Sequence, residues 1–238
     1  MEDIGARIEA LRERIARAAA RSGRDPGSVR LMAVSKFRRP DEVRSAYAAG
    51  MRLFGESRVA EAADKSEAAF SALAGTELHM IGHLQSNKAR AAVRIFSCVQ
   101  SVDSARLALI LDDEARSAGK MTGAYFEVHT AEESKAGFRA GDELWRALDD
   151  VLEASSARGG EGGLEPAGLM TMAPFTSDEA PVRASFRALA AIGREWERRH
   201  PELPRPTLSM GMSDDFEIAI EEGSDMVRIG TAIFGARA

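Results

Sequence analysis

The sequence predicts one (β/α)8 (TIM) barrel spanning residues 1–238. Three observations point there. Short apolar, strand-like runs recur eight times, Ala/Glu/Arg-rich helical stretches separate them, and 238 residues is an ordinary length for one such barrel but long for a small sandwich. Short right-handed crossovers between parallel strands wind one way until the sheet closes. An open, doubly wound sheet is the competing arrangement.

The chain opens with Ile4, Ile8, Leu11 and Ile15 at helical spacing among arginines and glutamates, an amphipathic helix over 3–22 that ends near Gly23. The run Leu31-Met32-Ala33-Val34-Ser35 gives a first strand near 30–35, stopped by the turn at Arg38-Arg39-Pro40. Asp41 then caps a helix ahead of Glu42-Val43, a second strand lies near 51–54, and Ser57 caps the next helix ahead of Arg58-Val59. Strands near 77–81 and 95–100 follow, and Ser104 caps a helix carrying Leu107 and Ile110. After a strand near 122–128 the helical segment runs into Ala157-Arg158-Gly159-Gly160-Glu161-Gly162-Gly163, a flexible loop too short to link domains. A strand near 165–170, a helix capped at Ser177-Asp178 ahead of Phe186 and Leu189, and strands near 206–210 and 225–229 complete the eight.

Hydrophobic residues at 45% and charged residues at 29% describe a soluble globular protein. Lys+Arg 32 against Asp+Glu 37 leaves a net charge of -5, which provides no electrostatic drive towards nucleic acid or acidic membranes. The start Met1-Glu2-Asp3-Ile4 lacks the basic, then apolar, pattern of a signal peptide, and no run approaches a membrane span. The lone cysteine, Cys98, cannot form an internal disulfide and sits in a run where a small buried hydrophobe is expected. A cytoplasmic location fits. The outer helices show no continuous apolar stripe, so a monomer is expected.

In such a barrel the chemistry sits where strands end and loops begin. Lys36 ends the first strand, where loss of solvation would lower its amine's pKa and make it a Schiff-base candidate; the plain alternative is a surface lysine at a strand end. Ser209-x-Gly211 and Gly230-Thr231, after the last two strands, supply hydroxyls and close backbone approach for a phosphate, although each pair alone is a common turn. An imine-forming lysine beside a phosphate cup suggests pyridoxal 5'-phosphate, whose aldehyde and phosphate flank one ring. Arg228 could then meet the pyridine nitrogen. A permanent cation there favours the unprotonated ring, a poorer electron sink, and the alternative is an ion pair inside the barrel.

Other features read more plainly. His79-x-x-x-His83 straddles a strand end, where the two side chains diverge, so no metal site is expected. Asp214-Asp215 is expected to cap a short helix, Met170 and Met172 to pack in the core, and Cys98 to be buried and unreactive.

The stretches Leu31-Met32-Ala33-Val34-Ser35-Lys36, Phe54-Gly55-Glu56, 79–88, 208–215 and 226–235 together resemble the pyridoxal phosphate homeostasis proteins, single-domain barrels similar to the N-terminal domain of alanine racemase. The resemblance runs over nearly the whole chain. It implies that Lys36 carries the cofactor as an internal aldimine, Arg228 faces the pyridine nitrogen, and Ser209, Gly230 and Thr231 hold the phosphate. Two positions depart from the family pattern: Ser57 and His129 stand where an Asn is usual, which bears on contacts along the cofactor's edge.

Three functions compete: a non-catalytic carrier that buffers a reactive aldehyde or delivers it to apo-enzymes that use it, a racemase-like enzyme, and a Schiff-base aldolase acting on a sugar phosphate. A racemase needs a second acid/base opposite the lysine, which in alanine racemase is a tyrosine from a separate β domain. Here the chain ends at Ala238 just after the last strand, and its only tyrosines are Tyr47 in an outer helix and Tyr125 in mid-strand. The carrier, with no catalytic residues assigned, is the expectation.

Overall fold

The computed structural model describes residues 3–130, 137–139, 141–157 and 162–236. Eight parallel strands close into a barrel: β1 (Arg30–Val34), β2 (Leu53–Glu56), β3 (Glu77–Met80), β4 (Cys98–Val102), β5 (Met121–His129), β7 (Gly163–Met170), β8 (Thr207–Ser209) and β9 (Met226–Ile229). The pairing of β9 with β1 and of β4 with β5 completes the circle, and the two-residue β6 (Phe138–Arg139) pairs with the end of β5 outside it. Residues 158–161 of the expected glycine-rich loop lie outside the described residues.

All eight expected strands are present. The second and fourth lie two or three positions later than expected because Met51 and Ile95 belong to the preceding segments: Met51 is buried ahead of β2, and Ile95 ends α4 (Ala89–Ile95). An apolar run that crosses a helix end looks the same as a strand start.

The helical layer begins with α1 (Ile4–Arg21), followed by α2 (Pro40–Ala48), α3 (Val59–Ala68), α4, α5 (Ala105–Ser117), α6 (Asp142–Ala157), α7 (Glu179–Arg199), α8 (Phe216–Glu221) and α9 (Thr231–Phe234). Ser104 caps α5 by accepting from Leu107 N, and Asp178 caps α7 by accepting from Ala180 N. The other two expected caps are displaced. Pro40 takes the first position of α2, where a missing N–H costs nothing, so Arg39 is its N-cap and Glu42 accepts from Arg39 N at 2.8 Å; α3 starts one residue later than expected, with Arg58 at its cap. Helix α1 packs on α2, α8 and α9 and so covers the seam where the last strand meets the first. Among the described residues, no helix is long and apolar enough to cross a membrane.

Strand alternation sends side chains either into the barrel or outward under the helices. The outward set, including Ala33, Phe54, Phe126, Leu169 and Val227, joins the helices in one large core. The inward apolar set is small: Met32, Leu53, Cys98, Tyr125, Met170 and Met226. Polar side chains fill the rest of the interior.

Candidate functional site

The strands' C-terminal ends form one rim, and Lys36 lies on it two residues beyond β1, half-buried. Ala33 pairs with Ile229, so Gly230 falls beside Val34; a Cβ on Gly230 would lie 3.4 Å from Val34 O. The end of β1 and the Gly230-Thr231 corner that opens α9 are therefore neighbours. The closure of the barrel brings the candidate lysine to the candidate phosphate corner across almost the whole length of the chain.

Arg228 points into the barrel just below this rim and is 5% exposed. Its Nη1 donates to Ser209 O at 2.7 Å and Ser209 Oγ at 2.9 Å, and its Nη2 donates to Thr171 O at 2.8 Å. Burial pulls its pKa down to about 10, while Asp215 and Glu127 act in the opposite direction. It remains a cation at neutral pH, fastened to the ends of β7 and β8 through carbonyls and a hydroxyl.

Ser209 and Gly211 both make contacts within the protein. Ser209 is fully buried, and its hydroxyl donates to Gln100 Oε1 at 2.7 Å while accepting from Arg228. It holds the arginine from below. Gly211 has φ +97, and a Cβ there would lie 2.6 Å from Ala219 Cβ and 3.0 Å from Phe216 Cα, so the packing of α8 against β9 explains this glycine. The hydroxyls nearer the rim are those of Thr231, which is exposed, and Ser213, which is half-buried in the loop between β8 and α8.

From Ser209 the polar chain continues down the barrel. Gln100 Nε2 lies 2.9 Å from His79 Nδ1, His79 Nε2 lies 3.6 Å from Glu77, and Glu77 accepts from Arg30 at 2.7 Å. Because the amide nitrogen of Gln100 can only donate, His79 Nδ1 accepts and its proton sits on Nε2, facing Glu77. Burial lowers the pKa of His79 and keeps the ring neutral, while His79 and Arg30 hold Glu77 down at about 2. A run of donors thus connects the rim arginine to the bottom of the barrel. Sequence reading missed Gln100; its one signal is a long polar residue inside the fully buried strand Cys98–Val102.

Glu127, near the end of β5, is also new. Burial pushes its carboxyl up to about 7, Asp103 adds to the rise, and Arg228 and His83 oppose it. His83 is exposed, with Nδ1 3.0 Å from Asp103, whereas His79 lies inside the barrel, so the two histidines diverge. Asp215 occupies the N-cap of α8, but its carboxylate turns back to accept from Met212 N at 2.5 Å. Met170 is buried, but Met172 is exposed, which corrects the core role expected for it. With Phe37, Phe175 and Met212 it is one of the exposed apolar side chains on the loops beyond β1, β7 and β8. Cys98 is buried, and burial drives its thiol pKa up, so it is unreactive. Ser57 and His129, the positions that depart from the family pattern, are half-buried at the ends of β2 and β5; residues 131–136, which follow Thr130, lie outside the described residues.

The family model described as "Alanine racemase, N-terminal domain" matches residues 7–238. A pyridoxal phosphate homeostasis protein of Escherichia coli (strain K12) is 36% identical over 242 residues, covering 100% of this chain and 98% of its own length. PipY of Synechococcus elongatus PCC7942, solved with PLP bound, superposes with a TM-score of 0.81 at 35% identity, covering 98% of this chain and 100% of PipY. An alanine racemase of Clostridium difficile 630 shares the fold, with a TM-score of 0.74 at 10% identity over 100% of this chain and 57% of the racemase.

Proposed function

The chain belongs to the pyridoxal phosphate homeostasis protein family, and from this we propose that it is a one-domain, monomeric, cytoplasmic carrier that holds pyridoxal 5'-phosphate covalently on Lys36 and releases it without catalysing a reaction. The observation that carries the reading is the juxtaposition of the Lys36 strand end with Gly230, directly above the buried Arg228.

The donor set fits the cofactor's three functional parts. When bound, the cofactor supplies an aldehyde that condenses reversibly with a primary amine with loss of water. Lys36 provides the amine, the backbone of Gly230 and the hydroxyls of Thr231 and Ser213 receive the phosphate, and Arg228 serves the ring nitrogen. Ser209 acts through Arg228, and Gly211 through the packing that places the loop carrying Ser213.

Two features favour storage over catalysis. A guanidinium anchored on Ser209 and Thr171 can donate to the ring nitrogen but cannot accept a proton from it, so it favours the unprotonated ring and weakens it as an electron sink. Neither tyrosine can act as a base at the rim: Tyr47 donates to Ala74 O on the outer surface, and Tyr125 is buried inside the barrel with its hydroxyl pushed up to about 12, chiefly by burial.

The test is a visible spectrum of the purified protein with added cofactor, followed by borohydride reduction and peptide mass mapping. A single adduct on Lys36, lost in Lys36→Ala with the circular dichroism spectrum unchanged, is expected. An adduct that survives in Lys36→Ala, or one scattered over surface lysines, overturns the assignment, and amino-acid racemisation by the loaded protein overturns the non-catalytic part.

A further inference from the structure

We propose that Glu61 and Lys65, both on α3, are positioning residues that hold the turn around Lys36 in the one shape that aims its amine across the rim; this rests on Lys36 being the residue that carries the cofactor. Lys36 and Phe37 are the central pair of a four-residue turn closed by Arg38 N donating to Ser35 O at 3.0 Å. Phe37 has φ +62, and among the described residues it is the one non-glycine residue with positive φ. A bulky side chain disfavours that conformation. Left unsupported, the peptide between Lys36 and Phe37 would relax by rotating, and the direction of the Lys36 side chain would change with it.

Contacts from α3 oppose that rotation on both sides of Lys36. The Glu61 carboxylate accepts from Phe37 N, and Lys65 Nζ donates to Ser35 O at 2.6 Å. The same ammonium bridges Glu61 Oε1 at 2.6 Å and Glu56 Oε1 at 2.9 Å, and Glu56 Oε1 also accepts from Ser35 Oγ at 2.7 Å. Arg58, the N-cap of the same helix, stacks over the Phe37 ring at 5.1 Å. The residues before and after Lys36 are thus fixed by one helix.

The cluster is costly to keep. Lys65 and Glu56 are buried, and Glu56 Oε2 has no hydrogen-bond partner among the described residues. A buried ion pair with an unsatisfied oxygen contributes little net stability compared with apolar packing. What this one does contribute is the orientation of two backbone groups flanking the lysine. Glu61 and Lys65, four residues apart on α3, act together because i and i+4 share a helix face.

The experiment compares wild type, Glu61→Ala, Glu61→Gln, Phe37→Gly and the double variant Glu61→Ala with Phe37→Gly. It reads the rate of adduct formation on Lys36, the melting temperature without cofactor, and hydrogen exchange at the residue-37 amide by NMR. Glu61→Ala should slow adduct formation by about tenfold, from the strain of a non-glycine residue in the left-handed region. Glu61→Gln keeps a carbonyl acceptor facing Phe37 N and should stay near wild type. Glycine adopts positive φ freely, so Phe37→Gly should make the rate independent of residue 61 even where the melting temperature stays low. A purely structural role would move the melting temperature and the rate together and would not be relieved by glycine. Unchanged kinetics in Glu61→Ala, or no recovery in the double variant, overturns the proposal. If wild type forms no adduct on Lys36, the carrier reading fails first; the positioning claim is then judged by the Phe37 amide, which should exchange slowly in wild type and fast in Glu61→Ala.

Discussion

Gln100 is the midpoint of the polar chain inside the barrel, and Gln100→Leu tests whether that chain sets the site. The side chain is fully buried; its Oε1 accepts from Ser209 Oγ at 2.7 Å and its Nε2 donates to His79 Nδ1 at 2.9 Å. Leucine nearly preserves the volume, so the cavity contribution is small and the cost comes from two buried hydrogen-bonding positions left unpaired, the Ser209 hydroxyl proton and His79 Nδ1. Each is worth about 1–3 kcal/mol, so a loss of about 2–6 kcal/mol is expected. Urea denaturation should show a lower midpoint with unchanged slope, the mark of lost stability without a changed denatured state. Ser209 would also lose the bond that fixes its hydroxyl beneath Arg228, so the spectrum of the loaded protein should shift. A loss under about 1 kcal/mol would refute the reasoning, because a buried donor and a buried acceptor cannot both be left unpaired at so small a cost. Gln100→Glu sharpens the test: one oxygen still serves Ser209, but the other faces His79 Nδ1 and accepts only if that nitrogen carries a proton, which together with the Nε2 proton facing Glu77 makes the ring a cation. The variant raises the pKa of His79 in the folded state, so its extra stability is present at low pH and lost as pH rises through that value; it should recover more at pH 5 than at pH 8.

Two further outcomes follow from the site's environment. Burial lifts Glu127 from 4.5 to about 7, so the folded protein keeps a proton that the unfolded chain has released. The contribution is fully present below 4.5 and is lost as pH rises through 7, worth at most about 3 kcal/mol. Urea midpoints at pH 5 and pH 8 should therefore fall more in wild type than in Glu127→Gln, and equal falls would mean that Glu127 is not desolvated. Gly211→Ala combines a positive φ with contact at 2.6 Å from Ala219 Cβ and should cost about 2–4 kcal/mol of stability with or without cofactor. If it instead left the melting temperature alone and weakened only cofactor binding, the packing account of this glycine would be wrong.

The ring of strand ends was legible because it depends on local pattern. Each strand is a short apolar run between breakers, and parallel crossovers have one hand, so local pattern alone places Lys36, Arg228, Gly230 and Thr231 at strand ends. Boundaries were less legible where an apolar stretch served two elements, as at Ile95, and caps where proline displaced the better side-chain acceptor, as at Pro40 ahead of Asp41.

What the sequence determined by itself was the barrel and the placement of Lys36 and Arg228 towards one end of it, since both follow from spacing along the chain. The tertiary structure alone decided which way each polar side chain faces. Whether Ser209 meets a ligand or holds Arg228 depends on the register of β8 against its neighbours and on Gln100, 109 residues away. Likewise, Glu61 and Lys65 read as an ordinary helical ion pair until closure of the barrel sets α3 against the turn at Lys36. Periodicity is written locally, whereas partnership between distant polar groups exists only after the strands have closed.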